Sequence, residues 1–489
     1  MIRWAGLAAA CAVFVMLATA NAGGYRYGVS DQAFYGPAVA MRLDPSLFPR
    51  DRGLFAPQMR AWLGDDLIAG LARATGADVP NVFAAIYLVT LVTLAAAAAW
   101  FARGLGMSWW VVSAFLLLVT LKHQITRTGA NSLEGYMHPR VLAFALGVAA
   151  LGCLIRQRHG IAGVVTAGAA AIHPTTALWF AVVVAVAWLR SRTDRRHAAT
   201  LSMLVPGAAM IAVAGPLDLL RPMDAAWLAV LAEKSYLFPS SWPLSVWAVN
   251  LSYPLALVLI HRHRRARGAN VPGEGRLVLG LLALVVLFLL SVPFSAARIA
   301  LAVQLQIARV FWLLDFAVMA FVAWWLFSSR VTQSVGRRAG LLVLLAALSV
   351  ARGTYVLAIE TDRPLARLSL APTAWTEAMT WLSAQPSSLH VLADPGHAWK
   401  YGVGVRQAAF KDTFLETMKD SAMAMYDRDV AMRVAERTAA TARFDEMTAD
   451  EIRALDDRFG FDLFVVDAAR TFPFPVRYRN ARFVIYDLR

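Results

Sequence analysis

Charge is scarce in this chain. Only 16% of its 489 residues are Asp, Glu, Lys or Arg, against roughly 25% in a soluble domain. Cysteine is nearly absent. The two present, Cys11 and Cys153, lie inside apolar runs and make no disulfide framework. Lysine is also rare, so nearly all the basic residues are arginine, as a biased genome composition gives. No internal repeat, low-complexity linker or complete phosphate-cradling glycine loop is present. The Gly402-Val403-Gly404 pair lacks the rest of such a fingerprint.

Apolar sequence fills the space. Hydrophobic residues make up 59% of the chain and the mean hydropathy is +0.54. A chain this apolar must bury surface in lipid as well as in its own core. The net charge of +15 does not point to nucleic acid, because the basic residues cluster in short loops between apolar runs. The expected fold class is therefore mainly α: a polytopic helical membrane bundle followed by a C-terminal soluble α/β domain.

About eleven apolar windows have the length and composition of spans. They are 4–20, 82–102, 107–121, 141–155, 161–172, 175–189, 201–214, 244–260, 277–292, 310–327 and 341–358. The first of them, with Arg3 before it and Ala20-Asn21-Ala22 after it, fits either a cleavable signal peptide or a first helix. The many spans that follow favour a retained helix. Compact basic clusters occur at Arg103, 156–159, 190–197, 261–267 and 330–338, on every second loop. The positive-inside rule puts these loops and the N-terminus in the cytoplasm. The loops 23–81, 122–140, 173–174, 215–243 and 293–309 then face outward with the C-terminal domain. Between Ile161 and Leu189 both ends are basic, so a hairpin tipped at His173-Pro174 is expected rather than one helix.

The expected domains are 1–358, a membrane domain with a large outer loop at 24–81, and 359–489, an α/β domain outside the membrane. In the latter, 389–393, 404–410, 461–467 and 482–487 read as strands, and 373–384, 419–437 and 449–459 as helices. Thr448, with Glu451 three residues on, has the pattern of a capping box.

Three regions offer chemistry. Asp31 follows the first span by about ten residues, and a carboxylate at the lipid surface can act as a general base on a hydroxyl. It can equally cap a helix. The apolar stretch 33–43, interrupted by Gly36-Pro37, reads as an interfacial helix. Secondly, His138-Pro139-Arg140 and His173-Pro174-Thr175 each precede a helix, as does Trp242-Pro243. Proline at the first helical position is ordinary; the histidines need another reason. Helix N-termini gathered at one depth suit an anion such as a phosphate. Glu134 lies close by in sequence, but Glu134, His138 and His173 match no known metal-ligand spacing, so no metal or other cofactor is assigned. Thirdly, Gln306 and Arg309 stand at the entrance to the window 310–327, with Asp315 deeper, where pairing with another helix is expected. In the C-terminal domain, Asp394, His397, Arg406, Lys411 and Lys419 offer a basic, aromatic surface for an anionic sugar or lipid headgroup, but read mainly as a solvated face.

The arrangement resembles the GT-C superfamily of polytopic glycosyltransferases that use lipid-linked sugars, and an uncharacterised bacterial membrane family related to it. The matching pieces are Ser30-Asp31-Gln32-Ala33-Phe34-Tyr35-Gly36-Pro37, Leu43-Asp44-Pro45-Ser46-Leu47-Phe48-Pro49-Arg50-Asp51, Glu134 with His138-Pro139-Arg140, His173-Pro174, and Gln306 through Trp312. The resemblance implies sugar transfer from a polyprenyl-phosphate donor at the outer face of a bacterial cytoplasmic membrane. It implies Asp31 as base, and Arg309 and Arg140 as phosphate ligands. Glu134, His138, His173 and Gln306 complete the implied substrate site. Asp31 lacks the adjacent second acid of the paired-acid loop, which leaves metal use and catalysis itself open. Two other classes stand beside this one: a transporter or lipid-flipping protein, and a non-catalytic envelope assembly or sensor protein. Ionisable residues through the middle of several spans would mark a transporter. Here they sit mostly at span ends.

Overall fold

The computed structural model describes residues 2–190, 218–329, 332 and 334–489. The expected span 201–214 and most of the basic cluster 190–197 lie outside the described residues. The chain divides into two compact units. One comprises Met1–Tyr25, Ala85–Pro222 and Lys234–Ala366; the other comprises Arg26–Ala84, Met223–Glu233 and Arg367–Arg489.

The first unit is helical and apolar. Among the described residues, five helical stretches are long and apolar enough to cross a membrane: Val79–Gly104, whose first residues belong to the other unit, Leu244–Ala266, Glu274–Ala296, Ala300–Ser328 and Val335–Glu360. Five shorter apolar helices accompany them: Ala8–Asn21, Trp109–Thr120, Pro139–Ile155, His159–Ile172 and Pro174–Leu189. Together the ten overlap every expected span among the described residues.

The hairpin at His173 is present. Helices His159–Ile172 and Pro174–Leu189 are separated by a single extended residue, His173, with φ −155° and ψ 93°. Pro174 disfavours a continuous helix there, because it cannot donate to the preceding turn and its ring crowds it. The two legs pack on each other and on Pro139–Ile155. Small residues make the approach close: Ala143, Ala169 and Ala177 form one buried cluster. Gly147 lies flat against the Phe180 ring, where a Cβ has no room.

The second unit is built on a five-stranded sheet. Its strands are β1 (His390–Ala393), β2 (Asp412–Thr413), β3 (Leu463–Asp467), β4 (Val476–Arg479) and β5 (Phe483–Asp487). Their order is β2-β1-β3-β5-β4. The β1 strand is parallel to β2 and β3, while β5 is antiparallel to β3 and β4. Helix Ala374–Ser383 covers one face through Trp375, Met379 and Leu382, which pack with Val391, Val465 and Ile485. Thr448 and Glu451 form the expected capping box at helix Ala449–Phe459.

Four expectations need correction. The segment 404–410 is not a strand but the short helix Val405–Ala409. Its Arg-Gln-Ala-Ala core favours helix, and Phe410 ends it in the left-handed region at φ 54°. The single helix expected at 419–437 is two, Thr417–Met423 and Arg428–Ala440. Asp427 restarts the chain by accepting from the amides of Asp429 and Val430. The stretch 33–43 is a helix, Gln32–Leu43, but not an interfacial one. All its residues from Gln32 to Met41 are buried, packed on helices Gly64–Thr75 and Val405–Ala409. Gly36 sits against the Gln407 amide, and a Cβ there would collide with it. The exposed apolar stripe belongs instead to Leu63, Leu67 and Leu71. Finally, the C-terminal charges are not a solvated face: His397, Arg406 and Lys411 are buried.

Arg406 explains the arrangement. Its Nε donates to Asp51 Oδ2 at 2.6 Å and its Nη1 to Asp420 Oδ1 at 2.6 Å, and Nη2 reaches the Thr413 carbonyl at 3.1 Å. Asp51 also accepts from the Thr413 amide at 3.1 Å and pairs with Arg433. Asp412 accepts from the amides of Arg50 and Asp51. The loop before Asp51 is thereby tied to the edge of the sheet. Removing one partner of a buried ion pair strands the other and costs about 3–5 kcal/mol. Asp51→Ala is expected to destabilise the second unit by that order, read as a lower thermal midpoint of the purified protein. An unchanged midpoint would show that the pair contributes nothing net.

Candidate functional site

In the first unit, two helices begin at histidines. His138 is the N-cap of helix Pro139–Ile155, and its Nδ1 accepts from the Arg140 amide at 3.2 Å. His173 is the N-cap of Pro174–Leu189, and its Nδ1 accepts from the Thr176 amide at 3.3 Å. A backbone N–H can only donate, so Nδ1 carries no proton in either ring. The remaining proton of each neutral imidazole is on Nε2. Capping is the structural reason for the histidines.

Aromatic packing brings the helix starts to one end. Phe144 stacks on Trp312 at 4.1 Å between centroids and meets Phe180 edge-on at 5.3 Å. These rings lie within about two turns of His138, Arg309 and His173 respectively. Trp242 joins the same end through Phe288, which packs on Phe311 at 4.8 Å. The His138 and His173 rings are 6.2 Å apart. The charges of Arg140 and Arg309 are close enough to act on His173 electrostatically.

Arg309 reaches this place through a break in the chain. Gln306, buried and left-handed at φ 47°, separates helix Ala300–Gln304 from the turn Ile307–Arg309, and Arg309 then caps Val310–Ser328. Glu134 is buried and forms an ion pair with Arg140, while Asn131 Nδ2 lies 3.2 and 3.3 Å from its two oxygens. A small cavity opens beside Glu134, Tyr136 and His138, walled by Tyr87 and Val141. Asp315 pairs with His123 at 3.0 Å, the structural role expected of it. Six predicted residues, Glu134, His138, Arg140, His173, Gln306 and Arg309, thus belong to the first unit.

Asp31 belongs to the second unit. It occupies the N-cap position of helix Gln32–Leu43, yet its side chain makes no capping bond. The carboxylate instead receives Lys419 Nζ at 3.0 Å, and that ammonium lies 5.7 Å from the centre of the Phe34 ring. Lys419 was visible in sequence only as one charge among several; nothing local signals a partner 388 positions away. Among the described residues no group of three or more His, Cys, Asp and Glu is arranged to hold a metal ion. The two acids nearest the implied chemistry, Asp31 and Glu134, each hold a cationic side chain. The residues present do not fit a divalent metal, and no step is derived through one.

The helix that carries Lys419 is flanked by titrating groups. Burial raises the Glu416 carboxyl to about 7, with Arg406 opposing and Asp420 assisting. Its Oε2 lies 3.8 Å from His397 Nε2. Burial alone would also raise Asp51, but Arg406 and Arg433 outweigh it and hold the carboxyl at about 2.

No family model matches the chain, and no curated protein matches it by sequence. Solved structures do. The Archaeoglobus fulgidus oligosaccharyltransferase in its apo form matches with a TM-score of 0.50 at 11% identity, over 94% of this chain and 69% of that one. The arabinofuranosyltransferase AftD from Mycobacteria matches with a TM-score of 0.50 at 16% identity, over all of this chain but 40% of that one. A mutant form of AftD gives 0.52 at 16% identity. This chain therefore spans about two fifths of AftD's length. These likenesses show the fold alone: a membrane-helical chain with a GT-C-like fold.

The folded state holds the Glu416 proton more tightly than the unfolded chain, whose carboxyl titrates near ~4.3. Its contribution is full below that value and is lost as pH rises through about 7. Asp51 acts oppositely, and its contribution is lost only as pH falls from about 4 toward 2. Glu416→Gln, which mimics the protonated acid, is expected to flatten the fall in thermal midpoint between about pH 5 and about pH 8. Burial also raises Asp412 to about 6 and Asp65 to about 7, so the slope shrinks rather than vanishes. Parallel midpoint curves for the variant and the parent would remove Glu416 from this account.

Proposed function

We propose that this chain is a glycosyltransferase-like membrane protein that moves a sugar from a polyprenyl-phosphate donor to an acceptor at the outer face of a bacterial cytoplasmic membrane. The observation that supports it is the convergence of His138, His173, Arg140 and Arg309 at the starts of three helices in a GT-C-like fold. Helix N-termini and guanidinium groups favour an anion.

In this reading Arg309 receives the donor phosphate, and the Nε2–H groups of His138 and His173 donate to its oxygens. The acceptor hydroxyl oxygen bonds to the anomeric carbon as the bond from that carbon to the phosphate oxygen breaks. The phosphate leaves with the electron pair, and the cationic group stabilises the charge that builds on it. The hydroxyl proton passes to a base, the role that the resemblance implies for Asp31. Arg140 takes part only in competition with Glu134, which already holds it.

One observation favours a second reading, a non-catalytic protein that keeps the fold. Asp31 is paired with Lys419, and a carboxylate beside an ammonium is a weaker base. Two variants separate the readings. Asp31→Asn is expected to reduce transfer by about 100-fold or more with expression and thermal midpoint intact. Arg309→Ala is expected to abolish the rise in midpoint that a polyprenyl-phosphate sugar gives the parent protein, since a ligand bound only to the folded state stabilises it. Stabilisation by the donor with no transfer in the parent protein would support the non-catalytic reading. Undiminished transfer by Asp31→Asn would remove Asp31 from the mechanism.

A further inference from the structure

Two helices of the second unit treat water differently. Helix Ala449–Phe459 buries Ile452 and Leu455 and exposes Asp450, Arg453, Asp457 and Arg458. That is the ordinary pattern of a helix with one side in solvent. Helix Gly64–Thr75 is apolar on both sides. It buries Ile68, Ala69 and Ala72 and packs on helix Gln32–Leu43. It exposes Leu67, Gly70, Leu71 and Ala74, and Leu63 stands exposed just before it. At 3.6 residues per turn these five positions share an arc of about 100°. Leu63, Leu67 and Leu71 are 55%, 60% and 43% exposed, an apolar surface that water leaves unfavourable and a suitable cover would bury.

The charges of this helix leave the arc clear. Asp65 is buried. Asp66 and Arg73 fall together at one edge of the arc, and Arg42 of the neighbouring helix collects both. Its Nε lies 3.0 Å from Asp66 Oδ1, and its carbonyl accepts from Arg73. A helix facing water would carry such charges at the centre of its outer face, as Ala449–Phe459 does.

The chain itself indicates what covers the face. Gly76, left-handed at φ 68°, ends the helix, and only Ala77 and Asp78 separate it from the span Val79–Gly104. Asp78 starts that span: its carbonyl accepts from the Val82 amide at 3.1 Å and its side chain from the Asn81 amide at 3.3 Å. Four extended residues cover no more than about 14 Å, so Thr75 is held that close to the membrane boundary. Arg60, three residues before Leu63, and Arg73 are both exposed. They bracket the leucines as guanidinium groups do when they reach headgroup phosphates from an interfacial helix. We infer that helix Gly64–Thr75 lies in the membrane interface, with Leu63, Leu67 and Leu71 among the lipid acyl chains. Helix Gln32–Leu43, packed on its other side, then rests on a lipid-anchored support. The inference does not rest on the transfer reading, because it is measured with neither donor nor acceptor.

The test uses the full chain in lipid nanodiscs, with Cys11→Ala and Cys153→Ala so that one introduced cysteine carries an NBD fluorophore. Two references bound the scale. Val89→Cys, at a position 57% exposed on the span, reports lipid, and Asp457→Cys, on the exposed side of Ala449–Phe459, reports water. The label at Leu67→Cys is expected to lose about half or more of its emission to nitroxide-labelled lipids, as a group about 5–10 Å deep does, and to resist aqueous iodide. Asp457→Cys is expected to show the reverse. Leu71→Cys is expected to follow Leu67→Cys, which separates the position of the helix from the effect of a single label. Iodide quenching at position 67 equal to that at position 457, with no loss to nitroxide lipids, places the helix in water and overturns the inference. So does protection from both quenchers, which makes a protein partner or a second copy the cover.

Discussion

Arg406 sits in the second unit with 2% of its surface exposed, between Asp51 and Asp420. Taking a guanidinium out of water is tolerable only when charge and hydrogen bonds surround it. Here two carboxylates and a backbone carbonyl do so, from three separate stretches of chain. The constraint propagates. Asp420 lies on the same short helix as Lys419, so the helix that satisfies Arg406 also presents the ammonium that Asp31 receives. Glu416 enters the same buried neighbourhood at the N-terminal end of that helix, which explains why its carboxyl resists ionisation. The position of Asp31's partner Lys419 is thus tied to the buried charge that holds the segment before Asp51 to the sheet.

The first unit meets a different constraint. Within hydrocarbon every backbone polar group needs an internal partner, and a helix start leaves amides without one. At His138 and His173 the imidazole Nδ1 takes one of those amides, and the following proline removes another. A serine or aspartate would cap as well. Histidine adds a second ring nitrogen, Nε2, which carries the proton of the neutral imidazole. The same two residues therefore serve helix termination and, in the proposed function, anion contact. No separate catalytic insertion into the bundle is needed.

Much of this was legible in the sequence for reasons of length and local chemistry. Lipid demands continuous apolar stretches, so the apolar windows coincide with helices. The His-Pro pairs and the Thr448-Glu451 pattern are local signals of helix starts, and the helices begin there. What could not be read was distant or ambiguous. Asp51 and Arg406 are 355 positions apart, and each looks like an ordinary surface charge in its own window. The segment around Arg406 mixes apolar and polar residues in a pattern that fits a strand, while its alanines favour the helix it adopts. Strand β4 escaped notice because it is an exposed edge, with Pro475 before it and no buried face to impose alternation. The interfacial reading of 33–43 failed similarly: an apolar helix next to a span can be covered by protein as readily as by lipid.

The pairing of acids with cations bears on which chemistry remains available. Asp31 holds Lys419, Glu134 holds Arg140, and Asp315 holds His123. In such a chain a divalent metal would have to displace an ammonium or a guanidinium from each acid before it gained a ligand. A phosphate, by contrast, meets the cationic helix starts without first breaking the Asp31 pair. In the proposed function, this arrangement sits better with anion stabilisation than with a metal held by these acids. In the same reading, an acceptor hydroxyl that approached Asp31 would have to loosen its contact with Lys419, which would couple proton acceptance to acceptor binding through one ion pair.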